Sequence, residues 1–513
     1  MRFPDLAVLD EAIASRDVAH AVPPLPLVTG GVDPLGLRQL NFNLMDRCIP
    51  GLNNAAWRIR PYAVLAWAWW KAVRLAEQQG RSECKVAELR RFVDRVEVIF
   101  QASHLSAGEY GSLPGSDGIQ FQVLRNGGYD FSSDAWPALS RARQVQGSLM
   151  SAVSYGPSSK EGLGLGYLRS DGGAFAPVEE VMPAVHAIEE ALSAVREHPA
   201  FASLECGWVP AEDMASWHPL WSLGAPTAAE AAVGRAALLG RDAQSPRAAT
   251  LSMLQRLLAW GGRPMDVSSL RTLAASADSP LAAEPTSRLW RALQARQLLR
   301  VSLEGLLNWL LAQATPGPTD LETIADALRE AIGADGGTSL AEWLNLPSAS
   351  PGGEDAVRSP VTMIEAIEAT SQSQNAAACA IGLRTAIAIC RAMPADSELF
   401  GGQSERLPLE RLSRRFEAAA ALSMRDACEL IVSELLIGQH VSWAAARSGD
   451  DTQRLRIVLE EGGWVALQGA GQANATPDRL FTLLELAADC GIVDRDAVSA
   501  SGTYRSRAGE VWE

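Results

Sequence analysis

One segment constrains the fold of this chain more than any other: Thr286 to Gln313, TSRLWRALQARQLLRVSLEGLLNWLLAQ. It contains no proline and is stopped by Thr315-Pro316-Gly317-Pro318, which cannot continue a helix. As one helix it spans roughly 40 Å, the width of a domain. Leu289, Ala292 and Leu293 begin an apolar stripe that Leu299, Leu303, Leu306 and Leu310 continue. Thr286 or Ser287 is placed to cap its start, and Arg300 and Glu304 stand four apart, where they pair across a turn. Arg296, Arg300 and Trp309 are the residues of this helix expected to meet a partner. An exposed Trp/Leu surface along it is the corresponding expectation.

The rest of the chain reads as helical too. Of its 513 residues 47% are apolar and 20% charged, a globular balance, and the length suits two to four domains. No apolar run reaches the ~18 residues of a membrane span. The N-terminus lacks the apolar core of a signal peptide, so a cytoplasmic protein without membrane partners is expected. Seven scattered cysteines without a CxxC read as reduced thiols, with Cys379 and Cys390 as small core residues. A net charge of −15 disfavours nonspecific adhesion to nucleic acid. Only Lys71, Lys85 and Lys160 are lysine, so the positive charge is nearly all arginine.

A second dense stretch runs from Pro34 to Glu77 and holds four of the fifteen tryptophans. Leu35–Cys48 reads as a helix ended by Ile49-Pro50-Gly51. Asn53 or Asn54 is placed to cap the next, in which Tyr62, Leu65, Ala66, Trp69, Val73 and Ala76 recur at helical spacing. Pro61 suits its first turn. Arg58 and Arg60 precede this tryptophan helix. They are read either as grips for phosphate or a partner carboxylate, or as internal ties to a loop carbonyl or an acid such as Asp46.

Val86–Phe100 continues helical, and 104–134 is irregular with Ile119–Leu124 as one strand. From 140 to 195 the order helix, turn, hairpin around Ser170–Gly173, helix matches the wing and last helix of a winged-helix module. There Lys160 and Arg169 are candidate DNA or partner contacts, opposed by the nearby acids Glu179-Glu180 and Glu189-Glu190. The tail holds a hairpin turning at Glu461–Gly463 and a last helix with Thr476 as cap. The fold class is therefore mainly α and multidomain, with short β-hairpins and winged-helix-like modules. Its expected divisions are a helical domain over 1–139, a winged module over 140–225, a helical domain over 226–315, a linker over 316–358, and a helical domain over 359–513.

Motifs for chemistry are scarce. GxxxxGK[ST] is missing, and Gly162–Gly166 lacks the strand and helix of a nucleotide fold. The six histidines show neither HExxH nor cysteine pairing at ligand spacing. His186 with Glu189 or Glu190 reads as a solvated face, and His440 as a cation at a helix end. GxSxG is absent, while Glu83-Cys84-Lys85 mimics half of a nuclease site and Asp450-Asp451 reads as a loop. No cofactor, metal or catalytic residue is assigned.

Three stretches together resemble an uncharacterised bacterial family associated with multi-gene phage-defence loci. They are Ile49-Pro50-Gly51 with Arg58, Arg60-Pro61-Tyr62 and Trp67; Leu289-Trp290 with Gln294-Ala295-Arg296 and Leu303-Glu304 to Trp309; and Thr476-Pro477-Asp478-Arg479-Leu480. The resemblance implies a genomic setting rather than a reaction. The expected function is a non-enzymatic interaction subunit of an anti-phage defence or DNA-processing complex, with protein subunits of the same operon as partners. One alternative is a DNA-contacting sensor using the winged segment with Arg58 and Arg60. Another is an unrecognised nuclease or hydrolase.

Overall fold

The long helix forms from Pro285 to Gln313, with Glu284 rather than Thr286 or Ser287 at its N-cap. Proline at the first position supplies the helical φ and needs no N–H partner there. Its environment differs from the expectation. Arg296, Arg300, Glu304, Gln294, Gln297 and Asn308 are buried along with Trp309 and every leucine from Leu293 onward, so it presents no Trp/Leu surface to solvent. This is a computed structural model, and it describes residues 33–80, 85–109, 113–240, 245–346, 359–370, 375–448, 454–468, 471–496 and 502–507. The helical pattern before residue 33, Glu83-Cys84 and Asp450-Asp451 lie outside them.

The chain is mainly α-helical. Among the described residues the sheets are four antiparallel pairs of two short strands each. Two apolar cores organise the helices. The first gathers around the tryptophan helix Arg60–Gln78, packed on Val86–Ser106 and Met182–Ala191. The second gathers around the long helix, packed on Ala376–Ala392 and Pro360–Thr370. Trp290 and Leu293 lie in the first core, and the helix continues into the second.

These cores cut across the expected divisions. Residues on both sides of the 139/140 and 225/226 boundaries share the first core. The terminal helix Leu480–Asp489 and hairpin Val493–Asp496/Thr503–Ser506 return to it rather than to the second. Within the expected linker, helices Leu321–Ala331 and Leu340–Asn345 place Ile324, Leu328, Leu340 and Trp343 in the second core. Contiguous sequence blocks and packed units differ because apolar faces distant in the chain complete one another.

Several local readings change with packing. Ile119–Leu124 is not a strand: Ser116–Gln122 is helical, and the strand of this region is Gly128–Asp130, paired with Trp208–Pro210. The hairpin at 168–177 does form, Leu168–Asp171 against Ala174–Pro177, with Gly172 and Gly173 supplying the positive φ of its turn. A single five-residue helical turn, Tyr155–Ser159, precedes it and packs beneath Tyr62, while Phe175 packs edge-on against Trp69. The hairpin thus belongs to the first core, and a winged-helix module is not established. The expected C-terminal hairpin is present as Ile457–Glu460/Gly463–Ala466.

The second core depends on a close approach of backbones. Gly305 of the long helix faces Cys379, and Gly382 of Ala376–Ala392 faces Ser302, with Ile367 and Leu298 beside it; a Cβ at Gly382 overlaps Ser302 Oγ. Gly382→Val is therefore expected to cost about 1–3 kcal/mol by overpacking. Denaturant unfolding checks this, and an unchanged midpoint contradicts the close contact.

Candidate functional site

Arg58 and Arg60 point inward. Arg58 grips Asp489 with Nε and Nη2 at 2.9 and 2.8 Å, also donating to the Leu223 carbonyl. Arg60 grips Glu230 at 2.9 and 2.7 Å and donates to the carbonyls of Ser222 and Ala225. Glu230 is fully buried and also closes the capping box of helix Ala228–Leu239 with Thr227. Neither arginine is placed to reach a nucleic-acid backbone, and neither acid is Asp46. Asp46 instead pairs with Arg479. Residues 431 and 170 positions away supply the carboxylates, so local sequence offered no signal for them.

The three stretches singled out above meet in space. The segment from Gly471 to Leu480 runs as a strap across the long helix. Gln294 donates to Asp478 at 3.0 Å, and Gln297 donates to Thr476 O and accepts from Thr476 N. Arg300 donates to Thr476 Oγ1 and Asn308 to Gly471 O, both over short distances. Thr476 therefore does not cap the last helix, which starts at Leu480 with Arg479 in a left-handed conformation, φ 64°. Arg479 ties to Ile49 O, and Asn54 exchanges hydrogen bonds with Pro477 O and Arg479 N. Asn54 is thus a loop tie. The N-cap of the tryptophan helix is Ile59, without a side-chain cap.

Beside the strap a cleft of about 320 Å³ opens, lined by Pro34, Arg38, Arg300, Glu304, Asn308 and Arg456 together with residues of the strap. Its Pro34 wall is pinned from helix Gln439–Arg447: Gln439, His440 and Trp443 donate to the carbonyls of Leu35, Pro34 and Asp33. His440 Nε2 accepts the Arg456 N–H, so its proton sits on Nδ1, and burial lowers its pKa. The expected helix-end cation is a neutral internal tie. Arg38 Nε is closed off from water without a hydrogen-bond partner. Burial pushes the Glu304 carboxyl up to about 7, against the pull of Arg300 at 2.8 Å.

The remaining nominated residues separate. Arg296 is buried, donating to the carbonyls of Arg406 and Leu407, and Trp309 is buried in the second core. Arg169 is exposed, and Lys160 lies over the Phe175 ring at 5.3 Å. The exposed acids Glu161, Asp171, Glu179 and Glu180 outnumber them. His186 packs edge-on against Trp70, while Glu189 is bonded by Trp67 and Lys71. Asp94 and Glu97, one turn apart on Val86–Ser106, are buried with Ser140, Ser148 and Arg143, and burial raises both carboxyls, Glu97 to about 7. Cys379 and Cys390 are buried thiols raised to about 12 and about 11, far from nucleophilic character.

One cluster had no sequence signature. His104, Glu109 and His218 place their ligand atoms within 4.8 Å of one another. The two histidines are 114 positions apart, so no motif spacing reveals them. Burial lowers the His104 pKa to about 4, leaving a neutral imidazole.

No family model matches the chain, and no curated protein or solved structure matches it either.

Two predictions follow from these ties. Arg60→Ala strands Glu230 as a buried unpaired charge and is expected to cost about 3–5 kcal/mol. Arg60→Lys should recover little, lacking the two-pronged fork. Urea unfolding checks both, and a loss below about 1 kcal/mol for the alanine variant contradicts the internal role. Folded Glu304 keeps its proton up to about pH 7, whereas the unfolded carboxyl loses it near 4.5. Its contribution to stability therefore falls as pH rises through that window. Relative to the parent, Glu304→Gln should gain on the order of 1–3 kcal/mol across it, read from unfolding at each pH.

Proposed function

We propose that this chain is a non-enzymatic interaction subunit of a bacterial anti-phage defence or DNA-processing complex. In this reading a partner protein presents an acidic side chain or chain-terminal carboxylate to the cleft between the long helix, the strap and Arg38. The observation that carries it is a cleft open to solvent whose lining brings together three arginines, Arg38, Arg300 and Arg456. A carboxylate that accepts from a guanidinium forms a charge-assisted hydrogen bond, about twice as strong as a neutral one.

Charge supports the same occupant. Arg38, Arg300 and Arg456 line the cleft with Glu304, which burial holds toward its neutral form, and Asp33 lies nearby. The cleft is thus a positive spot on a chain of net charge −15, which steers an acidic partner segment to one place. The genomic setting rests on the resemblance of the three stretches, which here converge on the strap beside this cleft. Phe121, Trp208 and Trp260 are exposed and provide apolar contact area elsewhere.

The purified chain is expected to co-elute with at least one product of its neighbouring genes. Arg38→Glu should weaken that association at least tenfold while leaving the fold intact. Failure to associate with any neighbouring product overturns the subunit reading, and full association of Arg38→Glu removes the cleft from the interface.

A further inference from the structure

His104 lies in the last turn of helix Val86–Ser106. Glu109 follows through the Gly108 turn, and its N–H bonds back to the His104 carbonyl at 3.0 Å. His218 opens the short helix His218–Trp221. We propose that these three side chains bind one divalent transition-metal ion, zinc by preference, joining the end of Val86–Ser106 to the segment that begins at His218.

The donor geometry carries the argument. Zinc bonds of 2.0–2.1 Å in a tetrahedral site set donors about 3.3 Å apart. Glu109 Oε1 and His218 Nε2 already stand at 3.2 Å, and Glu109 Oε2 and His104 Nε2 at 3.9 Å. Closing the second gap takes a rotation of a partly exposed carboxylate. The His104 and His218 rings meet edge-on at 5.0 Å between centroids, and the ligand atoms of all three residues lie within 4.8 Å of one another.

The tautomer is set correctly. His104 Nδ1 lies 2.7 Å from the Phe100 carbonyl, which can only accept, so the ring proton is on Nδ1 and the Nε2 lone pair is free. Such a bond from the far ring nitrogen is the usual support of a metal-binding histidine. His104 is 1% exposed, yet its Nε2 has no hydrogen-bond partner, and neither has Glu109 Oε2. Two acceptors facing each other without a donor are unfavourable in a buried place. A cation between them removes the conflict, satisfying both lone pairs at once.

The surroundings fit a held ion. Phe100 and Trp221 pack edge-on near the site, and Trp221 donates to Ser103 Oγ beside His104. Two imidazole nitrogens and one carboxylate select a borderline ion over calcium or magnesium, which take oxygen sets. Three protein ligands leave a fourth position, reachable through the partly exposed Glu109 and His218. The ion would also brace the loop after Trp221, where the Ser222, Leu223 and Ala225 carbonyls hold Arg60 and Arg58.

The test titrates zinc and cobalt(II) ions into the full chain after chelation. One equivalent per chain is expected, with a rise in Tm and, for cobalt, the visible absorption of a four- or five-coordinate nitrogen–oxygen site. His218→Asn and Glu109→Gln, both at partly exposed positions, should each weaken binding at least tenfold with unchanged circular dichroism. His186→Asn should bind like the parent. Absence of stoichiometric uptake by the parent overturns the proposal, as does uptake unchanged in both ligand variants.

Discussion

A helix of 29 residues that is buried nearly all round from Ala292 to Leu311 must find partners for most of the polar groups it carries there, and that requirement shapes this molecule. The apolar stripe of Pro285–Gln313 packs on other helices. The stripe of Gln294, Gln297, Arg300, Glu304 and Asn308 runs at three- and four-residue spacing, where a solvent-facing surface is ordinarily found. Here a strap from Gly471 to Leu480 covers it, answering the polar side chains with backbone groups, Thr476 and Asp478. Asp478 also takes Arg271 in a two-pronged pair, which brings the helix before the long one into the same knot. Through Arg479 and Asn54 the strap reaches the Ile49 turn, so the N-terminal, central and C-terminal parts are fastened at one place.

The buried arginines extend that logic. Arg95, Arg247 and Arg296 spend their forks on backbone carbonyls of loops and helix ends, and Arg58 and Arg60 divide theirs between a carboxylate and loop carbonyls, so that one planar guanidinium satisfies several acceptors together. Arg296 meets the carbonyl of Leu407, one of two non-glycine residues with positive φ among those described; the other is Arg479. Both unusual conformations occur where an arginine anchors a turn, a cost that packing elsewhere sustains. Such pairs add little net stability over apolar packing, but they specify which loop sits where, because removing one partner leaves a buried charge.

Several buried polar atoms lack a partner, Trp290 Nε1 and Arg296 Nε among them, but two sets lie beside a candidate site. Arg38 Nε beside the cleft lacks an acceptor. His104 Nε2 and Glu109 Oε2 lack a donor. One deficit suits an anionic partner group and the other a cation, so the two sites have opposite chemistry and lie in different parts of the fold. The arginine-lined cleft motivates the interaction reading, and the facing acceptors motivate the metal reading, independently of each other.

The residues alone settled the helical class, the course of the long and tryptophan helices, two of the hairpins, and the fact that Arg58 and Arg60 needed acceptors. Periodicity, proline and glycine placement are local, and local rules suffice for those features. Tertiary structure decided the rest. It showed that Gln294–Asn308 is a covered face, that Asp489 and Glu230 are the acids, that Thr476 and Asn54 are ties rather than caps, and that His104 meets His218. Each of these depends on contacts between residues far apart in the chain, whose choice rests on how whole apolar faces pack. A single sequence carries no spacing rule for that choice.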